Sequence, residues 1–156
     1  DLVVGLLPEA LPETLDRIQL RSSRLTAVVP VEDPFAQAGA VSLAQLAMRP
    51  LITWPRAYQP GVYDAIEAAL DDAVKSWSLV ATASHFEGIV SRVMSGQGCA
   101  LVPSTSVEEP EVLGIACLPV SDDVHFIEYA AWNRQPAHDV LTEFVATLAQ
   151  ECSGQL

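Results

Sequence analysis

The sequence predicts an α/β fold, in which a mostly parallel β-sheet carries helices on its faces. Short apolar runs alternate with amphipathic segments at helical spacing, which is the pattern of strands alternating with helices. Half of the 156 residues are hydrophobic, so the chain has enough apolar material for a core. Prolines and glycines stand at the ends of these runs, where strands and helices stop.

The first elements are strands. The apolar residues 2–7 end at Pro8, which is typical of a strand buried on both faces of a parallel sheet. Residues 17–21 alternate apolar and polar, so this strand faces a core on one side and water on the other. The strand continues through residues 25–29 until Pro30 removes a backbone donor. Asp33 and Pro34 then mark a loop.

Two helices and a strand follow. Ser42 and Gln45 have capping-box spacing, Leu43 and Leu46 supply the apolar stripe, and Pro50 closes this helix. Residues 51–54 predict a short strand, followed by a loop at residues 55–60. From residue 62 onward, apolar side chains recur at positions 62, 66, 69, 70 and 73, which indicates an amphipathic helix.

The next strand, residues 79–83, leads directly into a third helix. Ser84 and Glu87 again have capping-box spacing, so Ser84 is expected to cap this helix. Gly96 and Gly98 are expected to end it. Residues 99–102 return as a strand into Pro103, and the acidic residues 108–111 form a surface loop.

Two further strands and a helix complete the chain. Residues 113–120 and 124–132 read as strands joined by a hairpin turn at residues 121–123. Pro136 is expected to open a last helix, with inward side chains from Leu141, Phe144, Val145 and Leu148.

The charge excludes one class of partner. With 8 basic and 20 acidic residues, the formal net charge is -12, and such a surface is repelled by phosphate backbones. This chain alone is therefore not expected to bind DNA. No apolar run approaches ~20 residues and no basic leader opens the sequence, so no membrane partner is expected. Because residue 1 is not Met, we expect that something preceded it.

The three cysteines indicate a reducing compartment. Cys99, Cys117 and Cys152 are odd in number and widely spaced, which fits neither a disulfide framework nor a metal cluster. Buried, reduced thiols in a cytoplasmic protein are expected. No metal or other cofactor is predicted.

Several stretches, taken in order, resemble the effector domain of LysR-type transcriptional regulators. They run from residue 1 to about residue 150, and their order and spacing are more specific than any one of them. In this sequence they are residues 1–5, residues 25–30 with Asp33, Pro34 and Phe35, residues 42–46 with 50–52, and residues 96–104.

This resemblance implies a fold like a type 2 periplasmic binding protein, with two α/β lobes and a small molecule in the cleft between them. Residues 28–125 would form lobe II, and residues 1–27 with 126–156 an incomplete lobe I. The family's winged helix-turn-helix and its opening lobe I elements have no counterpart here. The resemblance also implies a homodimer, or a tetramer of the full-length parent, that reaches DNA only through the absent helix-turn-helix.

Two segments are candidates for contacting an effector. In open α/β folds, ligands lie outside the carboxyl ends of the strands, where helix beginnings offer free N–H groups and partial positive charge. One such helix begins at Pro60, Gly61 and Val62, and the resemblance implies that these positions contact the effector. The next helix begins at Ser84 and His85. Gly61 would let a ligand approach the backbone closely.

Further candidates line the same predicted edge. In the loop that contains Arg56 and Tyr58, the Arg56 guanidinium could pair with a carboxylate effector. Each candidate has a plainer interpretation: Gly61 as a turn residue, Arg56 as a solvated charge, His85 as an exposed first-turn residue. Ser104 could face the cleft or simply cap a turn.

Enzyme interpretations fail on geometry. His85 and Glu87 resemble part of a zinc deaminase motif, but the paired cysteines that would complete it are missing. Gly96 and Gly98 follow a helix, whereas a phosphate-binding loop follows a strand. Asp122, Asp123 and His125 could touch a metal but are explained by the expected hairpin turn. Cys99 lies in an apolar strand, where its thiol would be protonated and inert.

The sequence therefore predicts a cytoplasmic effector-sensing domain that binds a small molecule, with a carboxylate as one candidate, and controls transcription through its parent protein. A solute-binding protein of a transport system is the first alternative. A small hydrolase or deaminase is the third interpretation and would require metal or turnover.

Overall fold

The computed structural model describes residues 2–7, 11–107, 113–134 and 139–152. The chain separates into two compact units, residues 1–23 with 127–156 and residues 24–126. Strands β2 (Leu15–Pro30) and β7 (His125–Asn133) each contribute backbone to both units. Expectations for Asp1, Pro8, residues 108–111 and Pro136 lie outside the described residues.

The first unit contains strands in the order β1-β7-β2 and helix α4 (Asp139–Cys152). Strand β1 (Leu2–Gly5) runs antiparallel to β7, with Leu2 opposite Trp132. Ala130 and Ala131 on β7 are buried. This unit is therefore a small antiparallel sheet with one described helix.

The prediction for the first apolar run is wrong. Strand β1 pairs antiparallel with β7, and Val3 and Val4 are 56% and 53% exposed instead of buried in a parallel sheet. Successive side chains of a strand point to opposite faces. Exposure of two successive valines therefore means that the described residues cover neither face of β1 at this point.

The inward position predicted for Phe144 is also wrong, because 49% of this residue is exposed. Leu141, Val145 and Leu148 are half-buried and share a face at i, i+4 and i+7 spacing. Phe144 lies four residues after the exposed Val140 and belongs to a neighbouring face. The apolar surface of α4 is broader than the part that the described residues cover.

The second unit holds a mixed sheet with a parallel centre. Strand β3 (Pro50–Thr53) lies between β4 (Ser78–Thr82) and β5 (Cys99–Pro103) and is parallel to both. Strand β5 pairs antiparallel with β2, which also pairs antiparallel with β6 (Ile115–Pro119). The three parallel strands thus end at one common edge.

Helices α1 (Leu43–Leu46), α2 (Pro60–Ala73) and α3 (Phe86–Met94) connect these strands. Both longer helices contact β5, and α3 also contacts β3. Short 3-10 turns span Pro34–Gln37 and Ser104–Ser106. The apolar face predicted for α2 is confirmed at Val62, Ile66 and Leu70, which are buried, but not at Ala73, which is exposed. On α3, Phe86, Ile89, Val90, Val93 and Met94 are expected on one face from their spacing; Ile89, Val90 and Val93 are buried, whereas Met94 is 45% exposed.

The capping box predicted at the start of α1 is confirmed. The Gln45 N–H donates to Ser42 Oγ at 3.3 Å, and the Ser42 N–H donates to Gln45 Oε1 at 2.9 Å. The Leu43 N–H donates to Asp122 Oδ2 at 2.8 Å. The helix is nevertheless only one turn long, and Pro50 opens the following strand.

The hairpin predicted at residues 121–123 is wrong. The Leu25 carbonyl accepts from the Val120 N–H at 3.3 Å, and the Leu25 N–H donates to the Val124 carbonyl at 3.2 Å. Strands β6 and β7 therefore each pair with β2, one after the other along its length, and not with each other. The turn is stabilised by β2 because Leu25 supplies both bonding groups.

Among the described residues, no helix combines the length and apolarity that a membrane span requires.

Candidate functional site

Three chain segments meet where the parallel strands of the second unit end. Residues 54–59 follow β3, residues 83–85 follow β4, and residues 104–107 follow β5. Because the three strands are parallel neighbours, these segments lie on the same side of the sheet. We refer to the three segments together as the loop edge. All eight residues predicted to contact an effector lie in it or in the first turn of α2.

Thr53 ties the three strands together just before the loop edge. Its carbonyl accepts from the Ala83 N–H at 3.2 Å, and its hydroxyl donates to the Leu101 carbonyl at 3.2 Å. Thr53 is only 4% exposed, so these bonds are shielded from water. The segments after β3 and β4 therefore start from fixed positions.

The first segment is a compact turn that leads into α2. The Pro55 carbonyl accepts from the Tyr58 N–H at 2.9 Å and from the Gln59 N–H at 3.2 Å. Gln59 is the N-cap of α2 and caps it with no side-chain bond, and Pro60 occupies the first turn. Tyr58 and Pro60 are exposed. The turn thus leaves the beginning of α2 open to solvent.

Gly61 and Val62 are placed differently from each other. Gly61 is half-buried near the start of α2. Its φ is not positive, so the backbone does not require a glycine at this position. Val62 is 1% exposed and packs its side chain in the core. Val62 is therefore a core residue of α2 and offers little surface to a ligand.

Arg56 is held by an acid of the following helix. Its Nε lies 2.7 Å from Asp64 Oδ1, and its Nη2 donates to Asp64 Oδ2 at 3.2 Å. The side-chain hydrogen bond to Asp64 raises the pKa of Arg56, and the charge of the same carboxylate adds to this effect. The guanidinium is therefore an exposed charge that already has a partner, and a ligand carboxylate would compete with Asp64 for it.

The prediction that Ser84 caps α3 is wrong. The N-cap is His85, one residue later than expected, and no side-chain bond caps this helix. The His85 carbonyl accepts from the Gly88 N–H at 3.1 Å and the Ile89 N–H at 3.2 Å, which fixes the helix start. Ser84 precedes the cap, so its hydroxyl does not serve α3. Both Ser84 and His85 are exposed.

The third segment begins at Ser104. Pro103 caps the 3-10 turn without a side-chain bond, and the Ser104 carbonyl accepts from the Val107 N–H at 3.4 Å. The Ser104 residue is exposed. Its hydroxyl does not cap the turn, which removes the plainer interpretation made from the sequence.

The two helix beginnings give the loop edge its electrostatic character. Neither α2 nor α3 has a side-chain cap, so backbone N–H groups at both beginnings remain without a capping acceptor. Such groups, with the helix dipole, favour an anion. The first turn of α2 carries no acidic residue, whereas that of α3 carries Glu87. The start of α2 is the more favourable of the two for negative charge.

Other chemistry-bearing groups are engaged elsewhere. Asp123 accepts from Arg24 at 3.1 Å and lies 2.8 Å from His125 Nε2; these contacts, led by the hydrogen bond to His125, lower the pKa of Asp123. Within the described ranges, no group of three or more metal-ligating side chains comes together. Burial raises the pKa of the Cys99 thiol to about 11, which confirms the expectation of a protonated thiol.

An apolar cavity of about 340 Å³ lies in the first unit and holds none of the predicted site residues. Its lining is mostly aliphatic and includes Val3, Leu7, Leu11 and Leu15. We assign it no role in the site.

Thr53 and Trp54, where β3 meets the loop edge, are not among the residues predicted from the sequence. Residues 51–54 predicted only a strand, although a hydroxyl and an indole at the carboxyl end of a buried strand are a usable signal. The structure gives Thr53 its two bonds and buries Trp54 beside them.

Comparison with known proteins gives a consistent result. The family model described as the LysR substrate binding domain matches residues 1–153. The HTH-type transcriptional regulator IlvR of Caulobacter vibrioides is 26% identical over 145 residues, covering 93% of this chain and 48% of the relative. The chain thus spans about half the length of this curated relative.

Solved structures share the fold. The effector binding domain of QuiR in complex with shikimate superposes with a TM-score of 0.87 at 15% identity, over 99% of this chain and 72% of that one. The BenM effector binding domain with benzoate gives 0.76 at 18% identity, over 99% and 70%. The regulator CbnR gives 0.80 at 15% identity, over 97% and 52%.

Proposed function

Because the chain belongs to the LysR substrate-binding domain family, we propose that it is the effector-sensing part of a transcriptional regulator and that it binds a small molecule at the loop edge. The family consists of regulators, which argues against the enzyme interpretations, and the match favours a regulator over a transport protein. The main support for this site is that two helices without side-chain caps begin beside the ends of three parallel strands.

A small carboxylate is the effector chemistry that this edge supports best. The Gly61 N–H at the start of α2 would receive the carboxylate, since Gly61 adds no side chain there and no acidic residue lies in the first turn. The solved relatives QuiR and BenM were determined with shikimate and benzoate, both of which are carboxylates. These two complexes support the class of effector for this chain.

The remaining candidates would contact other parts of the effector. We propose that the hydroxyls of Ser84 and Ser104 donate from the second and third segments and that Tyr58 and His85 flank the site, because all four residues are exposed there. Pro60 has no N–H and would contribute shape. Arg56 would contribute only when its pairing with Asp64 is exchanged or shared.

The proposal extends to the parent protein. We propose that residues 28–125 form lobe II and residues 1–27 with 126–156 belong to lobe I, as the nearby boundaries of the two compact units support. DNA binding is assigned to a helix-turn-helix of the longer, cytoplasmic, homo-oligomeric parent, which the name of the IlvR relative supports. The effector would act by shifting the population of two conformations according to its differential affinity for them.

A thermal-shift and calorimetry screen tests this proposal. This chain is mixed with a panel of small aromatic and alicyclic carboxylates that includes benzoate and shikimate. A ligand at about 100 times its Kd stabilises the folded state by about 2.7 kcal/mol, which raises the Tm by several degrees. The matching methyl esters are the controls. Failure of every carboxylate to shift the Tm would overturn the proposed effector class.

A further inference from the structure

Trp54 is a buried side chain at the loop edge with an unused donor. It follows Thr53 directly and is only 7% exposed. Within the residues that the structure describes, its indole N–H forms no hydrogen bond, and that atom is not among the fully buried polar atoms without a partner. The N–H therefore belongs to the small part of the side chain that reaches solvent.

An indole N–H without a protein acceptor is uncommon in a largely buried tryptophan. Because the Trp54 N–H reaches solvent, water can accept from it until another acceptor takes that place. Trp77 illustrates the normal case, since its Nε1 donates to Asp71 Oδ1 at 2.8 Å. Trp77 precedes β4 and therefore lies on the opposite side of the sheet from the loop edge. Of the two tryptophans in this unit, Trp77 donates its indole N–H to a protein acceptor and Trp54 does not.

The backbone on both sides of Trp54 is fixed. The preceding residue, Thr53, is bonded to Ala83 and Leu101, and the following residue, Pro55, accepts from Tyr58 and Gln59. A donor held by such neighbours does not have to be ordered when a ligand binds, which lowers the entropic cost of the contact. These bonds fix the backbone on either side of Trp54, and burial restricts its side chain.

We propose that the Trp54 indole N–H donates a hydrogen bond to an acceptor oxygen of the bound effector and so helps to determine specificity. The inference rests on the proposed function and adds a contact outside the eight candidate residues. A charged acceptor forms the stronger bond, so a carboxylate oxygen is the partner expected. Trp54 acts by direct contact with the ligand.

The test compares two variants with the wild-type chain. The tightest-binding carboxylate of the panel serves as the probe, and calorimetry gives its Kd for wild type, Trp54→Phe and Trp77→Phe. Each substitution keeps an aromatic ring and removes one indole N–H. We expect Kd to rise about tenfold or more for Trp54→Phe, from loss of a bond to a charged acceptor, and to stay unchanged for Trp77→Phe.

A second measurement does not depend on the folding of a variant. The chain has three tryptophans, so a ¹⁵N–¹H spectrum of the wild type shows up to three indole signals, which the two variants assign. On addition of the probe, the Trp54 signal should move downfield while the Trp77 signal stays in place. An unmoved Trp54 signal with a bound probe, or an unchanged Kd in folded Trp54→Phe, overturns this inference and leaves the proposed function standing. If no carboxylate binds the wild type, both fall.

Discussion

The guanidinium of Arg56 contacts the carboxylate of Asp64 through two of its nitrogens, Nε and Nη2, across the turn that joins β3 to α2. The pair is exposed, so it stabilises the fold little, and its main effect is to occupy the one cation of the first segment. An anionic ligand at the loop edge therefore meets a cation that already has a partner.

Removing that partner should strengthen anion binding. We expect Asp64→Asn to lower the Kd of a carboxylate ligand about threefold to tenfold, because the guanidinium fork becomes free for bidentate contact. Asp72→Asn, at the other end of α2, makes the same change of net charge and should leave Kd nearly unchanged. Titration calorimetry at two salt concentrations measures both. Equal Kd values for the two variants would show that Arg56 takes no part in binding.

A side chain at position 61 should block the site while preserving the fold. Gly61→Val places a branched side chain beside the N–H groups at the start of α2, so we expect ligand binding to be abolished and the circular dichroism spectrum to be unchanged. The matched control is Ala68→Val, on an exposed position of the same helix. Retained binding in Gly61→Val would remove the start of α2 from the site.

Gly98 should tolerate no larger residue. A Cβ at this position would lie 2.2 Å from the Pro50 carbonyl oxygen and 2.9 Å from its carbon, so backbone would have to move. We expect Gly98→Ala to lower the free energy of unfolding by about 1–3 kcal/mol. Urea denaturation measures this value. Gly5→Ala, where a Cβ meets nothing within 4 Å, is the control and should change it by about 0.5 kcal/mol or less.

The Cys99 thiol should react slowly and only at high pH. Its pKa of about 11, raised by burial from 9.0, leaves about a hundredfold less thiolate at pH 8 than a free cysteine has. In a variant with Cys117→Ser and Cys152→Ser, we expect the iodoacetamide rate to rise with pH until about 11. A plateau near pH 9 would contradict the burial of this thiol.

The same shift predicts how stability depends on pH. A folded-state pKa above the unfolded value means that this group's contribution to stability is complete below about pH 9 and is lost as the pH rises to about 11. Urea denaturation across this range, with Cys99→Ala as the control, measures the loss. Only the wild type should lose the part of its stability that depends on this thiol.

Local patterns predicted much of the second unit. The order β3-α2-β4-α3-β5 follows from apolar runs that alternate with helical spacing, and each longer helix buries three of the side chains that its periodicity indicates. The cap of α1 was also predictable, because Ser42 and Gln45 satisfy each other within one turn. In each case the interacting groups are close in sequence.

The other features do not follow from local sequence patterns. The spacing of Ser84 and Glu87 equals that of Ser42 and Gln45, yet α3 begins after His85, since the His85 carbonyl accepts the first helical bonds. The pairing of Leu25 with both Val120 and Val124 replaced an expected hairpin. No pattern in the sequence predicts that Asp64 occupies Arg56, because the two residues meet only through the fold of the turn.

The two hydrogen bonds of Thr53 have a consequence for how the loop edge responds to a ligand. Thr53 of β3 is bonded to Ala83, which follows β4, and to Leu101 of β5. Displacement of any one of the three segments therefore strains the other two. Energetic effects of substitutions in different segments should therefore be coupled. In a double-mutant cycle, replacing Ser84 together with Ser104 would change the free energy of binding by an amount that differs from the sum of the single changes.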